Sequence, residues 1–114
     1  MEEKIRKTIF YKHYFLDFYS EQPIEVQNKI DWTIMLLETI EILPIVYFKK
    51  IKGVKGLYEI RVIHSGNIFR IFCFFDREKV VVLGNGFTKK TQKTPSNQIE
   101  LAQKIMNDYF NEKK

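Results

Sequence analysis

The sequence predicts an α+β domain: a short strand, two helices, three antiparallel strands and a last helix. Three observations carry that expectation. Val26, Ile30, Ile34, Leu37 and Ile40 recur at three- and four-residue steps, which places them on one stripe of a helix. Residues 57–85 consist of β-prone runs separated by "HSGN" and "DREK". Ile99, Ala102, Met106 and Tyr109 return to helical spacing after Thr94-Pro95. The 114 residues fit a single domain, 1–114, and no Gly-, Ser- or Pro-rich stretch divides them.

Each element has its own warrant. "KIRKTIFYKHYF" reads as a short strand running into a helix, with Ile9, Phe10, Tyr14, Phe15 and Phe18 near helical spacing. Ser20 suits the cap of a second helix near Pro23, because proline fits a first helical turn. Trp32, Met35 and Leu36 widen the stripe of that helix, and Pro44 ends it. Two helices joined by so short a link are expected to pack as a hairpin. A connector follows, "PIVYFKKIKGVKG", with Lys49, Lys50, Lys52 and Lys55 and no acid. "LYEIRVI", "IFRIFCFF" and "VVVLGN" are the strands, and Ser65-Gly66 suits a tight hairpin turn. Thr94-Pro95 suits the start of the last helix.

Composition excludes several classes. Hydrophobic residues at 45%, a third of them aromatic, are ample for a packed core, which argues against disorder throughout. Cys73 is the one cysteine, so neither an internal disulfide nor a thiolate metal cluster can form. With two histidines far apart in sequence, no metal or other cofactor is expected. No stretch approaches the roughly 18 apolar residues of a membrane span, and "MEEKIRKTIF" lacks the apolar core of a signal peptide. A soluble, cytoplasmic protein with no membrane partner is expected. The formal charge of +5 suggests an anionic partner, or merely a solvated cationic surface.

The charge has a specific location. Pairing the strands across "HSGN" sets Val62 against Phe69, Ile60 against Ile71 and Arg61 against Arg70. The apolar residues agree on one face, and two guanidiniums then oppose each other on the other. Like charges there disfavour a sheet by several tenths to about 1 kcal/mol. An anion between them relieves the repulsion, and the planar donors of arginine bind phosphate bidentately. Glu59, on the same face, offers the bland alternative of a surface salt bridge, worth little. The third strand is expected to end near Arg70, which brings Lys89, Lys90 and Lys93 of "KKTQKTP" beside the arginine pair.

"GLYEIRV", "GNIFRIFCFFD" and "VVVLGNGFTKKTQKTP", in this order and spacing, resemble the phage-derived HigB-like branch of the RelE/ParE toxin superfamily. The likeness runs from about Ile30 to the last helix. It implies a RelE-like fold, with two N-terminal helices packed on a small antiparallel sheet and a C-terminal helix after it. It implies the toxin of a type II toxin–antitoxin pair: a metal-independent, ribosome-dependent mRNA endoribonuclease that enters the A site and stops translation. Its partners are then the 70S ribosome, mRNA and a cognate helix-turn-helix antitoxin. In such chemistry the ribose 2′-OH is the nucleophile, so the enzyme supplies proton transfer and cations around phosphorus. Arg61 and Arg70 match family positions that hold the phosphate. Lys90 matches the segment of a further catalytic base, with Lys89 and Lys93 as neighbours. Glu59 is a candidate acceptor for the 2′ proton, although adjacent arginines weaken a carboxylate as a base. Lys49, Lys50, Lys52, Lys55, Lys89 and Lys93 are expected to contact RNA. Tyr109 falls on the apolar helix face, where it suits the core better than a base-stacking platform.

Two other readings fit the same fold. A ParE-like chain inhibits DNA gyrase by binding, without catalysis. A degenerate member binds only nucleic acid or its antitoxin.

Overall fold

In the computed structural model, which describes residues 3–88 and 95–113, helices cover both faces of one sheet. The elements are β1 (Lys7–Phe10), α1 (Tyr14–Ser20), α2 (Ile24–Thr39), β2 (Phe48–Lys50), β3 (Leu57–His64), β4 (Asn67–Phe75), β5 (Val80–Thr88) and α3 (Ser96–Glu112). The class is α+β, as the sequence predicts, but the sheet is larger than expected. Five strands lie in the order β1-β5-β4-β3-β2, and β1 runs parallel to β5 while the other pairs are antiparallel. The expected small, purely antiparallel sheet is therefore corrected to a mixed sheet of five strands, in which the short strand expected before the helices pairs with β5.

The two added strands have a common physical origin. An unpaired strand edge leaves a row of backbone donors and acceptors without partners. Residues 7–10 supply those partners to β5, and residues 48–50 supply them to β3. Ile9 and Phe10, placed by spacing on the first helix, lie in β1 instead. Arg6, just before β1, donates to the carbonyls of Leu37 (2.7 Å), Ile40 (2.8 Å) and Glu41 (2.5 Å). It thus satisfies the open C-terminal end of α2, where a cation is favoured.

The central hairpin follows the expected register, with Val62 opposite Phe69, Ile60 opposite Ile71 and Arg61 opposite Arg70. Ser65 and Gly66 both have positive φ, +49° and +79°, as a two-residue primed turn requires.

Alternation along the strands then divides the core. Ile60, Val62, Phe69, Ile71, Cys73, Val81 and Leu83 face α1 and α2, where they meet Phe15, Phe18, Val26, Ile30 and Leu37. Leu57, Phe72, Phe74, Val82 and Phe87 face the other way, toward Ala102 and Ile105 of α3. The strands are the principal partners of the N-terminal helices, α1 lying chiefly on β5 and α2 on β3. Trp32 and Met35 do not widen the buried stripe of α2. They are exposed, and Thr33 is buried in its place, its hydroxyl donating to the Lys29 carbonyl at 2.8 Å. Ser20 closes α1, and Pro23 is the residue that precedes the first turn of α2. Thr94 lies outside the described residues, and Pro95 immediately precedes α3. No described helix is long and apolar enough to cross a membrane.

Candidate functional site

The face of the sheet that carries α3 also carries the charge. Leu57, Glu59 and Arg61 alternate on it along β3, and Arg70 and Phe72 alternate on it along β4. The register sets them in rows across the strands. Lys49, Glu59 and Phe72 form one row, and Arg61, Arg70 and Phe87 form the next. β5 therefore does reach the arginine pair, because Phe87 lies directly opposite Arg70 and Thr88 opposite Phe69. Lys89, Lys90 and Lys93 follow in the sequence and lie outside the described residues.

Both guanidiniums turn to a single carboxylate oxygen. Arg70 Nη1 donates to Glu59 Oε2, and Arg61 Nε stands 3.7 Å from the same atom. Burial separates the three side chains. Glu59 has no exposed surface, Arg70 keeps 3% of its own and Arg61 keeps 19%. Arg61 is thus the member of the group that water or a ligand reaches. A carboxylate enclosed in this way is stable only because it is paired, since an isolated buried charge costs several kcal/mol.

The pairing is incomplete. Glu59 Oε1, Arg61 Nε and Arg70 Nε are buried and have no hydrogen-bond partner among the described residues. Among the described residues two cations then stand against one anion, an excess of one positive charge. Of these atoms the two guanidinium nitrogens are donors suited to an anion, whereas Glu59 Oε1 is an acceptor. Near this group, Asn85 on β5 is 5% exposed. Its Nδ2 donates to the Gln98 carbonyl (3.2 Å) and to Gln98 Oε1 (3.0 Å) in the first turn of α3, while its Oδ1 has no partner among the described residues. Sequence reading missed this residue. Its only signal is a polar side chain between two glycines in a strand, "GNG".

The other candidates are dispersed. Lys49 is half-buried in the row of Glu59, whereas Lys50, Lys52 and Lys55 are exposed along the connector. No ion pair among the described residues includes any of the four. His64 ends β3 at the hairpin turn, opposite Asn67. His13 precedes α1, its Nδ1 lying 2.7 Å from Asp17 Oδ2 and its ring stacked on Tyr14. Cys73 is buried on the opposite face of the sheet, and burial, reinforced by the charge of Glu59, pushes its thiol well above the ordinary range. That removes it as a nucleophile. Tyr109 packs edge-on against Tyr11 and Phe74 and donates to Asp76 Oδ2 at 2.6 Å. Among the described residues no three His, Cys, Asp or Glu side chains come together as a metal site.

The family model for phage-derived protein Gp49-like (DUF891) matches residues 17–107. That span holds all but three residues of the first helix and most of the last. No curated protein matches the chain.

Proposed function

The chain belongs to the phage-derived Gp49-like family, a toxin-like family related to RelE, and from that premise we propose that it is a HigB-like toxin that cuts mRNA on the ribosome. The supporting observation is the Arg61–Arg70 pair held on Glu59, with one positive charge in excess and two guanidinium N–H donors unpaired among the described residues. In the proposed reaction the ribose 2′ oxygen attacks phosphorus as its proton is taken. The 5′ oxygen leaves with a proton, and the phosphate passes through a state with extra negative charge.

Arg61 meets that charge directly, because it is the more accessible member of the pair. Arg70 and Glu59 position it. Glu59 is enclosed and already occupied by two cations, so the proton acceptor is a group other than this carboxylate. Lys89, Lys90 and Lys93 stand next in sequence after the strand that ends beside Arg70, and Lys90 is assigned to proton transfer with its neighbours on phosphate. A helix-turn-helix antitoxin is the proposed inhibitor, and the ribosomal A site the place of action. No metal or organic cofactor enters this scheme.

A second reading is favoured by one observation. The carboxylate beside Arg61 has no exposed surface, and a ParE-like inhibitor that binds gyrase requires no proton acceptor. A translation reaction separates the two. The purified chain is added, and the 5′ ends of the message are mapped by primer extension. Cuts within codons on ribosome-bound message support the nuclease. Intact message together with arrested replication on induction in cells overturns it in favour of the gyrase inhibitor.

A further inference from the structure

A second surface lies at the outer edge of the sheet. From Ile42 to Tyr58 the chain holds four lysines and no acid. Its apolar residues are not all used by the core: Ile42 is 84% exposed, Ile45 73% and Val46 44%. Two hollows adjoin here. Ile45, Phe48, Lys49, Lys50 and Tyr58 line one of about 490 Å³. The loop from Lys50 to Tyr58 lines the other, an open hollow of about 720 Å³. Lys50 and Tyr58 belong to both. The floor of the first is fixed, because the rings of Phe48 and Tyr58 stack at 5.1 Å and each meets Phe75 edge-on. β2 is the end strand of the sheet among the described residues; the N–H of Phe48 on its outer side is taken by the Pro44 carbonyl at 3.2 Å, which leaves the edge around Lys50 to an added strand.

We propose that this edge docks an acidic, extended segment of another protein. Its apolar side chains enter the two hollows, and its carboxylates meet Lys49, Lys50, Lys52 and Lys55. The chemistry selects this occupant. Exposed Ile45 lines the first hollow, Ile42 and Val46 are exposed in the same segment, and exposed apolar side chains beside a concave site mark a surface for protein recognition. RNA phosphate engages lysines and gains nothing from Ile42 or Ile45. A second copy of the chain would set the same acid-free lysine segment against itself, at a cost in repulsion. A bilayer offers no separate side chains to fill hollows. The inference stands whether or not the chain cuts RNA, since it uses neither Arg61 nor Arg70.

The test uses the full chain and four fluorescein-labelled probes in anisotropy titrations. These are a peptide alternating Glu with Leu, a Glu/Ser peptide, a Lys/Leu peptide and a single-stranded RNA. The Glu/Leu peptide is expected to bind at least tenfold more tightly than either other peptide. Ile45→Asp is expected to weaken it about tenfold and leave RNA binding unchanged. Ile42→Asp, at a side chain the fold does not use, is expected to act in the same direction. Lys50→Glu is expected to reverse the preference toward the Lys/Leu peptide. Equal binding of the Glu/Leu and Glu/Ser peptides overturns the proposal. So does an RNA affinity that falls with Ile45→Asp, which gives the surface to nucleic acid. A dimer in sedimentation that Ile45→Asp dissolves also overturns it, and assigns the surface to a second copy.

Discussion

Arg61 and Arg70 face each other across the β3–β4 ladder and share one oxygen, Oε2 of Glu59. The repulsion expected between directly opposed cations is therefore answered from within the protein. The answer is partial, because one carboxylate carries one charge. It is also unequal, because Arg70 is enclosed with Glu59 while Arg61 retains access to solvent. A fold that needed only stability would be served as well by apolar residues of similar volume at these buried positions. Retention of the ionic group fits a task that needs a cation held in a fixed place.

Arg61 is the side chain to alter first. Arg61→Ala removes the accessible guanidinium and relieves the opposed charges while Glu59 keeps Arg70, so a smaller loss of stability than that of Arg70→Ala is expected. If Arg61 stabilises the phosphate in flight, message cleavage should fall about 10²–10³-fold. Growth on induction should recover while the circular dichroism spectrum and Tm stay close to those of the parent. A variant as toxic as the parent removes Arg61 from the mechanism.

Arg70 and Glu59 call for a different experiment. Removing one partner of a buried pair leaves an uncompensated charge and costs about 3–5 kcal/mol. Arg70→Ala is thus expected to lower Tm, and recovery of growth with that variant alone reports on folding as much as on chemistry. Glu59→Leu combined with Arg70→Met replaces both charges by apolar volume. The double variant is expected to regain most of the lost stability in urea unfolding while cleavage stays lost, because Arg61 no longer has its anchor. Full cleavage by a stable double variant would show that the buried pair has no part in the site.

How much of this was legible follows from what each signal depends on. The Arg61–Arg70 register rests on local facts, the turn residues Ser65-Gly66 and the apolar agreement of Ile60 with Ile71, and both are written in the sequence. The pairing of Lys7–Phe10 with Val80–Leu83 joins segments from opposite ends of the chain, and no local pattern encodes it. β2 has only three residues, two of them lysines, and takes strand form because β3 offers an open edge. The enclosure of Glu59 was the least visible feature. An acid in an alternating strand is ordinarily solvated, and its burial depends on what parts of the chain distant in sequence bring over it. Cys73, inside an apolar run, was legible as buried for the opposite reason.

Gly86 is required by a close approach. A Cβ at this position would lie 2.4 Å from Cδ2 of Phe18, on the face of β5 that receives α1. Gly86→Ala forces the ring or the helix to move, at about 1–3 kcal/mol. Phe18→Leu in the same chain frees part of that space, so the double variant should be more stable than the sum of the two single changes predicts. A double-mutant cycle in urea that shows strict additivity would mean that α1 shifts without cost.

A last prediction concerns the C-terminal end of α3, which is tied to the β4–β5 turn through one carboxylate. Asp76 Oδ2 accepts from Lys113 Nζ at 2.5 Å and from Tyr109 OH at 2.6 Å. The bond from Lys113, then that from Tyr109, holds the Asp76 carboxyl below its usual value of 3.8. Burial first, then the bond to Asp76, pushes the Tyr109 hydroxyl from 10.0 up to about 12. The signs of the two effects differ. A lowered carboxyl stabilises the fold above pH 3.8, and that stability is lost as the pH falls through the lower, folded value. A raised phenol stabilises the fold below pH 10.0, and that stability is lost as the pH rises toward 12. Tyr109→Phe should remove the alkaline loss that belongs to this residue and weaken the hold on Asp76. Asp76→Asn should flatten the acid limb of a plot of stability against pH. Hydrogen exchange at the end of α3 reads the same tie locally: both variants should open the last turns and leave the β3–β4 hairpin as protected as in the parent. Unchanged exchange in α3 with both variants would show that packing of Tyr109 against Phe74 and Tyr11, rather than the shared carboxylate, holds the helix end.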